Sequence, residues 1–158
     1  MATSPKSGEK TPDQQQLPAQ KAQREPQDAA YARAQDAIAT ARTSDASDLT
    51  LSGDDFSDLT ELPPDIGTLT ALTDLSLSGT QVSDISALSG LEGLIDLDLS
   101  GTQVSDLSPL LSLTQLADAP ELGGLAFKNT AASQADSRIA KIAEIEDNAE
   151  RATDLFAY

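Results

Sequence analysis

Leucine recurs at fixed intervals through the middle of the chain. The pattern Leu-x-x-Leu-x-Leu begins at residue 72 and again at residue 94, and the blocks 69–90 and 91–112 are identical at 14 of 22 positions. Leucines that alternate with polar residues predict a short strand whose apolar side is directed inward. Because one coil of this kind cannot bury its apolar side alone, the repeat predicts a stack of coils that share one core.

Two less regular coils flank this pair. One starts at Leu49-x-Leu51 and carries a longer loop, and the other contains Leu125-x-Phe127. The spacing therefore predicts four parallel strands, one in each coil. We expect them near residues 48–52, 74–78, 96–100 and 124–128.

Polar residues at the turns of the repeat are predicted to be structural. Asp84 and Asp106 each precede a short apolar segment, where a carboxylate can cap a helical turn on the convex side. A threonine follows the strand at an equivalent position in three coils, and we expect a ladder of hydroxyl groups between coils there. These threonines are Thr80, Thr102 and Thr130.

Helical patterns at both ends predict caps for the stack. Over residues 28–43 good helix formers surround Ala34 and Ile38, with Asp28 as a candidate N-cap. Residues 133–158 form a C-terminal capping segment, predicted as one helix from about residue 137 to residue 156. Helices at these places cover edge strands that otherwise invite pairing with another chain. Residues 1–27 are rich in Gln, Pro, Lys and Ser, so we expect a disordered tail.

The sequence Leu-Ser-Gly-Thr-Gln-Val-Ser-Asp, at residues 77–84 and again at 99–106, is similar to the 22-residue leucine-rich repeats of bacterial internalins. The whole chain resembles uncharacterised leucine-rich repeat proteins of alphaproteobacteria. The resemblance implies an α/β solenoid: a short leucine-rich repeat array over residues 44–132, with parallel strands on the concave face and a helix at each end. It also implies that protein partners bind on the concave face, and it implies no chemistry.

Composition narrows the classes of function. The 158 residues carry a net charge of −16, which disfavours binding to nucleic acid or to an anionic membrane. The chain has no His and no Cys, so the usual general base and thiolate ligands are missing. We expect no catalysis, no cofactor and no metal. The N-terminus lacks an apolar signal segment, and the sequence therefore predicts a cytoplasmic protein.

The exposed strand positions are acidic. Equivalent positions on successive coils carry Asp48, Asp74 and Asp96, whose strands would lie about 4.8 Å apart. Between Arg42 and Lys128 the chain holds 15 acidic and no basic side chains. The candidate partner-binding residues are Asp48, Asp74, Ser76, Ile95, Asp96 and Asp98.

Three interpretations of this surface are open. It can be a docking face for a basic protein segment, a device for solubility, or a row of carboxylates bridged by calcium. Calcium needs six to eight converging oxygen ligands, which single carboxylates in a row supply poorly.

Two classes of function follow from these observations. The first is a non-catalytic protein-protein interaction module, a monomer or weak oligomer whose acidic concave face takes a partner with a basic surface. The alternative is a structural or assembly unit, a fragment of a longer chain whose terminal helices mediate association. Binding through charge weakens steeply as salt is added, whereas association through apolar helices does not.

Overall fold

A computed structural model describes residues 17–118, 124–145 and 148–157. The helices and strands, in chain order, are α1 (Leu17–Ser44), β1 (Asp48–Thr50), β2 (Asp74–Ser76), β3 (Asp96–Asp98), α2 (Gln115–Asp118), β4 (Leu125–Ala126), α3 (Ala131–Ala135), α4 (Ser137–Ala143) and α5 (Asn148–Phe156). Three 3-10 turns, one between each pair of successive strands, are Pro64–Thr68, Ser86–Gly90 and Ser108–Ser112.

The described strands form one sheet in the order β1-β2-β3-β4, and every neighbouring pair is parallel. The prediction of one parallel strand in each of four coils is confirmed, although the strands are only two or three residues long. The register aligns Leu49 with Leu75, Leu75 with Leu97, and Leu97 with Leu125. Each coil therefore places a leucine at the same level of the sheet.

The core lies between the sheet and the 3-10 turns. Leu77 and Leu99, which follow their strands, have no exposed surface. On the convex side Ile66, Leu88 and Leu110 of the three turns are fully buried. These residues belong to one continuous apolar cluster. The molecule is thus a short solenoid in which every coil completes the core of its neighbours.

The three threonines at the turns are buried, but the predicted ladder of hydroxyl groups between coils is wrong. The hydroxyl of Thr102 donates to the carbonyl oxygen of Leu99 in its own coil at 2.7 Å, and the other two threonines make the same bond at 2.8 and 3.0 Å. Each short side chain donates its hydroxyl to the carbonyl three residues back and not to the next coil. Backbone groups join the coils instead, as where the Gln103 N–H donates to Val82 O at 2.9 Å.

The N-terminal helix is longer than the sequence predicts. Helix α1 begins at Leu17, so the predicted disorder of residues 1–27 is wrong for residues 17–27, while residues 1–16 lie outside the described residues. Asp28 lies inside the helix and is not its N-cap. Ala, Gln, Lys and Arg dominate this segment, and their helix propensity outweighs the shortage of apolar residues. Further along, Ala34, Ile38 and Ala41 are buried against the first coil.

The C-terminal cap consists of α3, α4 and α5, and the prediction of a single helix is wrong. Thr130 caps α3, its hydroxyl oxygen accepting the Ser133 N–H at 3.2 Å. Asp136 adopts an extended backbone that separates α3 from α4, and its carboxylate accepts the Arg138 N–H at 2.8 Å. The predicted helix is broken further along, between the end of α4 at Ala143 and the start of α5 at Asn148, and α5 packs against β4 and α2.

Arg151 fastens α5 to the last strand. Only 4% of its surface is exposed, and its Nη1 donates to Leu125 O of β4 at 2.6 Å. Both Nε, at 2.9 Å, and Nη2 donate to Ile145 O. Successive carbonyls of a parallel strand point in opposite directions. Gly124 O and Ala126 O accept N–H groups of the preceding coil, so Leu125 O points to the opposite side, at the edge of the sheet. The guanidinium therefore satisfies a carbonyl on the edge of the sheet.

Replacing Arg151 by methionine keeps the length of the side chain but removes its donors. Two carbonyl oxygens then lose a charged partner, and we expect the free energy of unfolding to fall by about 2–4 kcal/mol. Urea denaturation followed by circular dichroism measures this loss. The matched control is Lys141→Met, at an exposed position, which should change stability by no more than about 0.5 kcal/mol. Equal losses in the two variants contradict the structural role of Arg151.

Candidate binding face

The strand register brings three carboxylates into one row. Asp48 is the partner of Asp74, and Asp74 is the partner of Asp96, each at the first position of its strand. Two residues further along β3, Asp98 is the partner of Ser76. Because neighbouring strands lie about 4.8 Å apart, the row repeats a negative charge at that interval across three coils.

These strands border a shallow, open depression of about 280 Å³. The polar residues that line it are Asp48, Thr50, Asp74, Ser76, Asp96 and Asp98. We name this surface, defined by those six residues, the acidic strand face. It contains five of the six residues that the sequence indicates as a binding site.

Ile95 is the sixth predicted residue, and it does not line the depression. It is half-buried directly before β3, where its N–H donates to Thr73 O at 2.7 Å. Thr50 lines the depression without being among the predicted binding residues. The alternation of strand positions identifies Thr50 as a residue of this face, because Thr50 follows Asp48 by two residues on the same strand.

The four carboxylates of the acidic strand face differ in their hydrogen bonds. Asp74 Oδ2 accepts the hydroxyl of Thr73 at 2.5 Å, and Asp98 Oδ1 accepts the N–H of Ser100 at 2.8 Å. None of the four forms an ion pair with a cation of the described segments. Lys128, in the fourth coil, pairs with Glu144 at 3.4 Å. The negative charge of this face is therefore not neutralised by the parts of the chain that the structure describes.

Asp96 has the least favourable environment in the row. Partial burial raises the pKa of its carboxyl above the ordinary value, and the charges of Asp74 and Asp98 raise it further. The ionised form of Asp96 is thus less favourable in the folded chain than in the unfolded chain. Asp96 therefore destabilises the fold least at low pH. The destabilisation grows as the pH rises from the pKa of Asp96 in the unfolded chain to its higher pKa in the folded chain.

Replacing Asp96 by asparagine removes one charge from the middle of the acidic strand face. We expect the free energy of unfolding at pH 7 and low salt to rise by about 0.2–1 kcal/mol, the scale of like-charge repulsion across strands. The gain should shrink as the pH falls from the raised pKa of Asp96 towards the ordinary value of about 3.9, below which the carboxyl is protonated in both the folded and the unfolded chain, and it should also shrink at high salt. Urea titrations at two pH values and two salt concentrations measure it. A variant less stable than the wild type at pH 7 contradicts the repulsion.

Asp84 and Asp106 lie on the convex side and cap the 3-10 turns, as the sequence predicts. Asp84 Oδ1 accepts the Ser86 hydroxyl at 2.6 Å and the Ser86 N–H at 2.8 Å, and Asp106 does the same with Ser108 at 2.5 and 2.9 Å. The hydrogen bond from the serine hydroxyl lowers the pKa of each carboxyl most, and the hydrogen bond from the serine N–H lowers it further. Both residues shape the turns and stand apart from the acidic strand face.

Two further observations bear on possible ligands. In the segments that the structure describes, no group of three or more His, Cys, Asp or Glu side chains is arranged to hold a metal ion. The calcium interpretation of the carboxylate row therefore gains no support from the geometry of those residues. None of the helices within these segments is long and apolar enough to cross a membrane.

Residues 70–112 match the family model described as leucine-rich repeats, two copies. An internalin (inlF) from Listeria monocytogenes is 27% identical over 49% of this chain, with a TM-score of 0.42, and an internalin C2 (inlC2) from the same organism is 31% identical over 46%, with a TM-score of 0.38. The chain spans 21% and 31% of the lengths of these two proteins. No curated protein sequence matches this one significantly. The matched residues include β2 and β3, and the fold is a short leucine-rich repeat solenoid.

Proposed function

We propose that this chain is a non-catalytic protein-binding module that holds a basic segment of a partner protein on the acidic strand face. The row of carboxylates in register carries the proposal. Like charges directly opposite each other on neighbouring strands destabilise a sheet, and burial at Asp96 adds to this cost. A lysine or arginine from a partner relieves the repulsion. Binding therefore gains the free energy by which the repulsion destabilises the free protein.

The shape of the face defines the kind of binding. The depression is open and shallow, so a lysine or arginine side chain can approach Asp48, Asp74 and Asp96 without displacing protein groups. Exposed ion pairs contribute little individually, and the face has no Trp, Tyr, Phe or Arg to act as an anchor. Complementary charge chiefly speeds association and selects the partner. The expected complex is therefore transient and sensitive to salt.

A protein partner is favoured over other classes of ligand. The match of residues 70–112 to leucine-rich repeats, together with the protein binding that the resemblance to internalins implies, supports a protein. The net charge of −16 opposes nucleic acid and anionic lipid. With no His in the sequence and an open surface that cannot desolvate a general acid, we infer no catalysis. A cytoplasmic setting stays a prediction of the sequence.

The terminal helices also favour a binding module over an assembly unit. Ala34 and Ile38 of α1 are buried, and α1 contacts β1 at one end of the sheet. At the other end Ala152 of α5 is buried, and α5 contacts β4. Apolar residues that pack on the solenoid in this way are occupied within the chain itself and do not serve association with other chains.

Titration with a defined basic peptide tests the proposal. A short fluorescent peptide of alternating lysine and serine should bind the wild type at low ionic strength, with an affinity that falls steeply as salt is added. The variant Asp48→Asn, Asp74→Asn, Asp96→Asn and Asp98→Asn should bind roughly tenfold more weakly or worse, since several weak ion pairs are lost together. Fluorescence anisotropy measures both affinities.

A second quadruple variant separates the location of charge from its amount. Asp54→Asn, Glu61→Gln, Asp65→Asn and Glu92→Gln remove the same charge from exposed residues outside the acidic strand face. This control should bind the peptide within about threefold of the wild type. If the two quadruple variants lose affinity equally, the peptide senses only the total charge, and the acidic strand face is not a binding site.

A further inference from the structure

An apolar groove lies away from the acidic strand face, between the third 3-10 turn and the C-terminal helices. Its volume is about 310 Å³, and apolar atoms form most of its surface. We name it the Leu111 groove. Its apolar lining residues are Leu107, Leu111, Ile139, Leu155 and Phe156.

Leu111 leaves the groove incompletely covered by the described residues. It is 58% exposed, and among the large apolar side chains whose burial the structure describes it is the one that is mostly exposed. Leu107, Ile139 and Phe156 are partly buried and pack on the core cluster, so the walls of the groove are fixed. A single exposed leucine needs no explanation by itself. An exposed leucine at the edge of a formed apolar groove indicates an interaction site.

Size limits what the groove can hold. Its volume is at the lower end of the range for small-ligand sites, roughly 300–1,000 Å³, which suits one bulky side chain. A stable interface between two copies of a protein buries about 1,000 Å² or more, and five apolar residues do not provide that area. The groove therefore suits an anchor residue on a short segment better than a second copy of this chain.

Charge at the rim defines the surroundings of that anchor. Asp106 lies on the rim, and the charge of Asp84 on the preceding turn acts on it. Arg138, the cation next to Ile139, is held by Asp136 at 3.3 Å. The third turn and the coils before it belong to the segment without basic residues. A segment that approaches this rim therefore gains by carrying positive charge beside its apolar residue.

We propose that the Leu111 groove is a second docking site, which takes one bulky apolar side chain flanked by lysine or arginine from a partner protein. Arginine and aromatic residues are the usual anchors of protein interfaces, and such a segment presents both chemistries together. This site does not depend on the acidic strand face, because none of its residues belongs to that surface. The two sites can serve one partner or two.

The peptide Lys-Trp-Lys is a direct probe, because the chain contains no tryptophan and the indole emission reports the peptide alone. We expect a blue shift of the emission when the indole enters the groove, and chemical-shift changes in the amides of Leu107, Leu111, Ile139 and Phe156. Lys-Ser-Lys, which keeps the charge, should bind about tenfold more weakly or worse. Glu-Trp-Glu, which reverses the charge, should also bind more weakly than Lys-Trp-Lys.

Leu111→Ser is the decisive variant. Because Leu111 is exposed, we expect the variant to fold like the wild type, and circular dichroism checks this. It should lose about tenfold in affinity for Lys-Trp-Lys. The quadruple asparagine variant of the acidic strand face should keep the blue shift and the chemical-shift changes in the groove, which separates this site from the proposed function. Ala71→Ser, which also replaces an exposed apolar residue by serine but lies away from the groove, is the matched control and should bind like the wild type.

Several outcomes overturn the proposal. Equal binding of Lys-Trp-Lys and Lys-Ser-Lys, or equal binding to wild type and Leu111→Ser, shows attraction by charge alone. Self-association of the free protein that Leu111→Ser abolishes assigns the groove to a second copy. A gain of affinity in Tyr158→Ala assigns the groove to the end of the chain itself.

Discussion

Stacking of neighbouring coils is the interaction on which every other feature of this structure depends. A coil of about two dozen residues has too little interior to bury its own leucines, so each coil uses the next one to complete its core. The apolar cluster accordingly runs without interruption from Ile38 of α1 to Leu155 of α5. Removing either end helix would expose an unpaired strand together with half of a shared core.

The same stacking creates the acidic strand face. Parallel strands in register place equivalent residues side by side, so that a repeat which aligns Leu75 with Leu97 also aligns Asp74 with Asp96. Within the core this alignment is favourable, because leucines pack on leucines. On the exposed side it places like charges next to each other, which costs stability. We propose that the chain tolerates this cost because a partner with basic residues relieves the repulsion on that side.

The repeating parts of the fold and the presence of a helical cap at each end could be predicted from the sequence, whereas the bounds and packing of those caps could not. The period of Leu75 and Leu97 predicts the strands, and with them the row of Asp48, Asp74 and Asp96. The start of α1 and the division of the C-terminal cap into α3, α4 and α5 depend on local propensity and capping that no repeat reinforces. The burial of Arg151 and the groove at Leu111 depend on how α5 packs against distant residues, and a single sequence does not reveal such contacts.

A carbon-detected NMR titration of the aspartate carboxyl groups, without and with the lysine-serine peptide, tests the central claim most directly. If the stacked strands form an unneutralised row that binds basic segments, Asp96 should titrate above its ordinary pKa in the free protein. Bound peptide should then lower that pKa, because a nearby positive charge favours the ionised carboxylate. An Asp96 that titrates at its ordinary pKa, or whose pKa the peptide leaves unchanged, would contradict the claim.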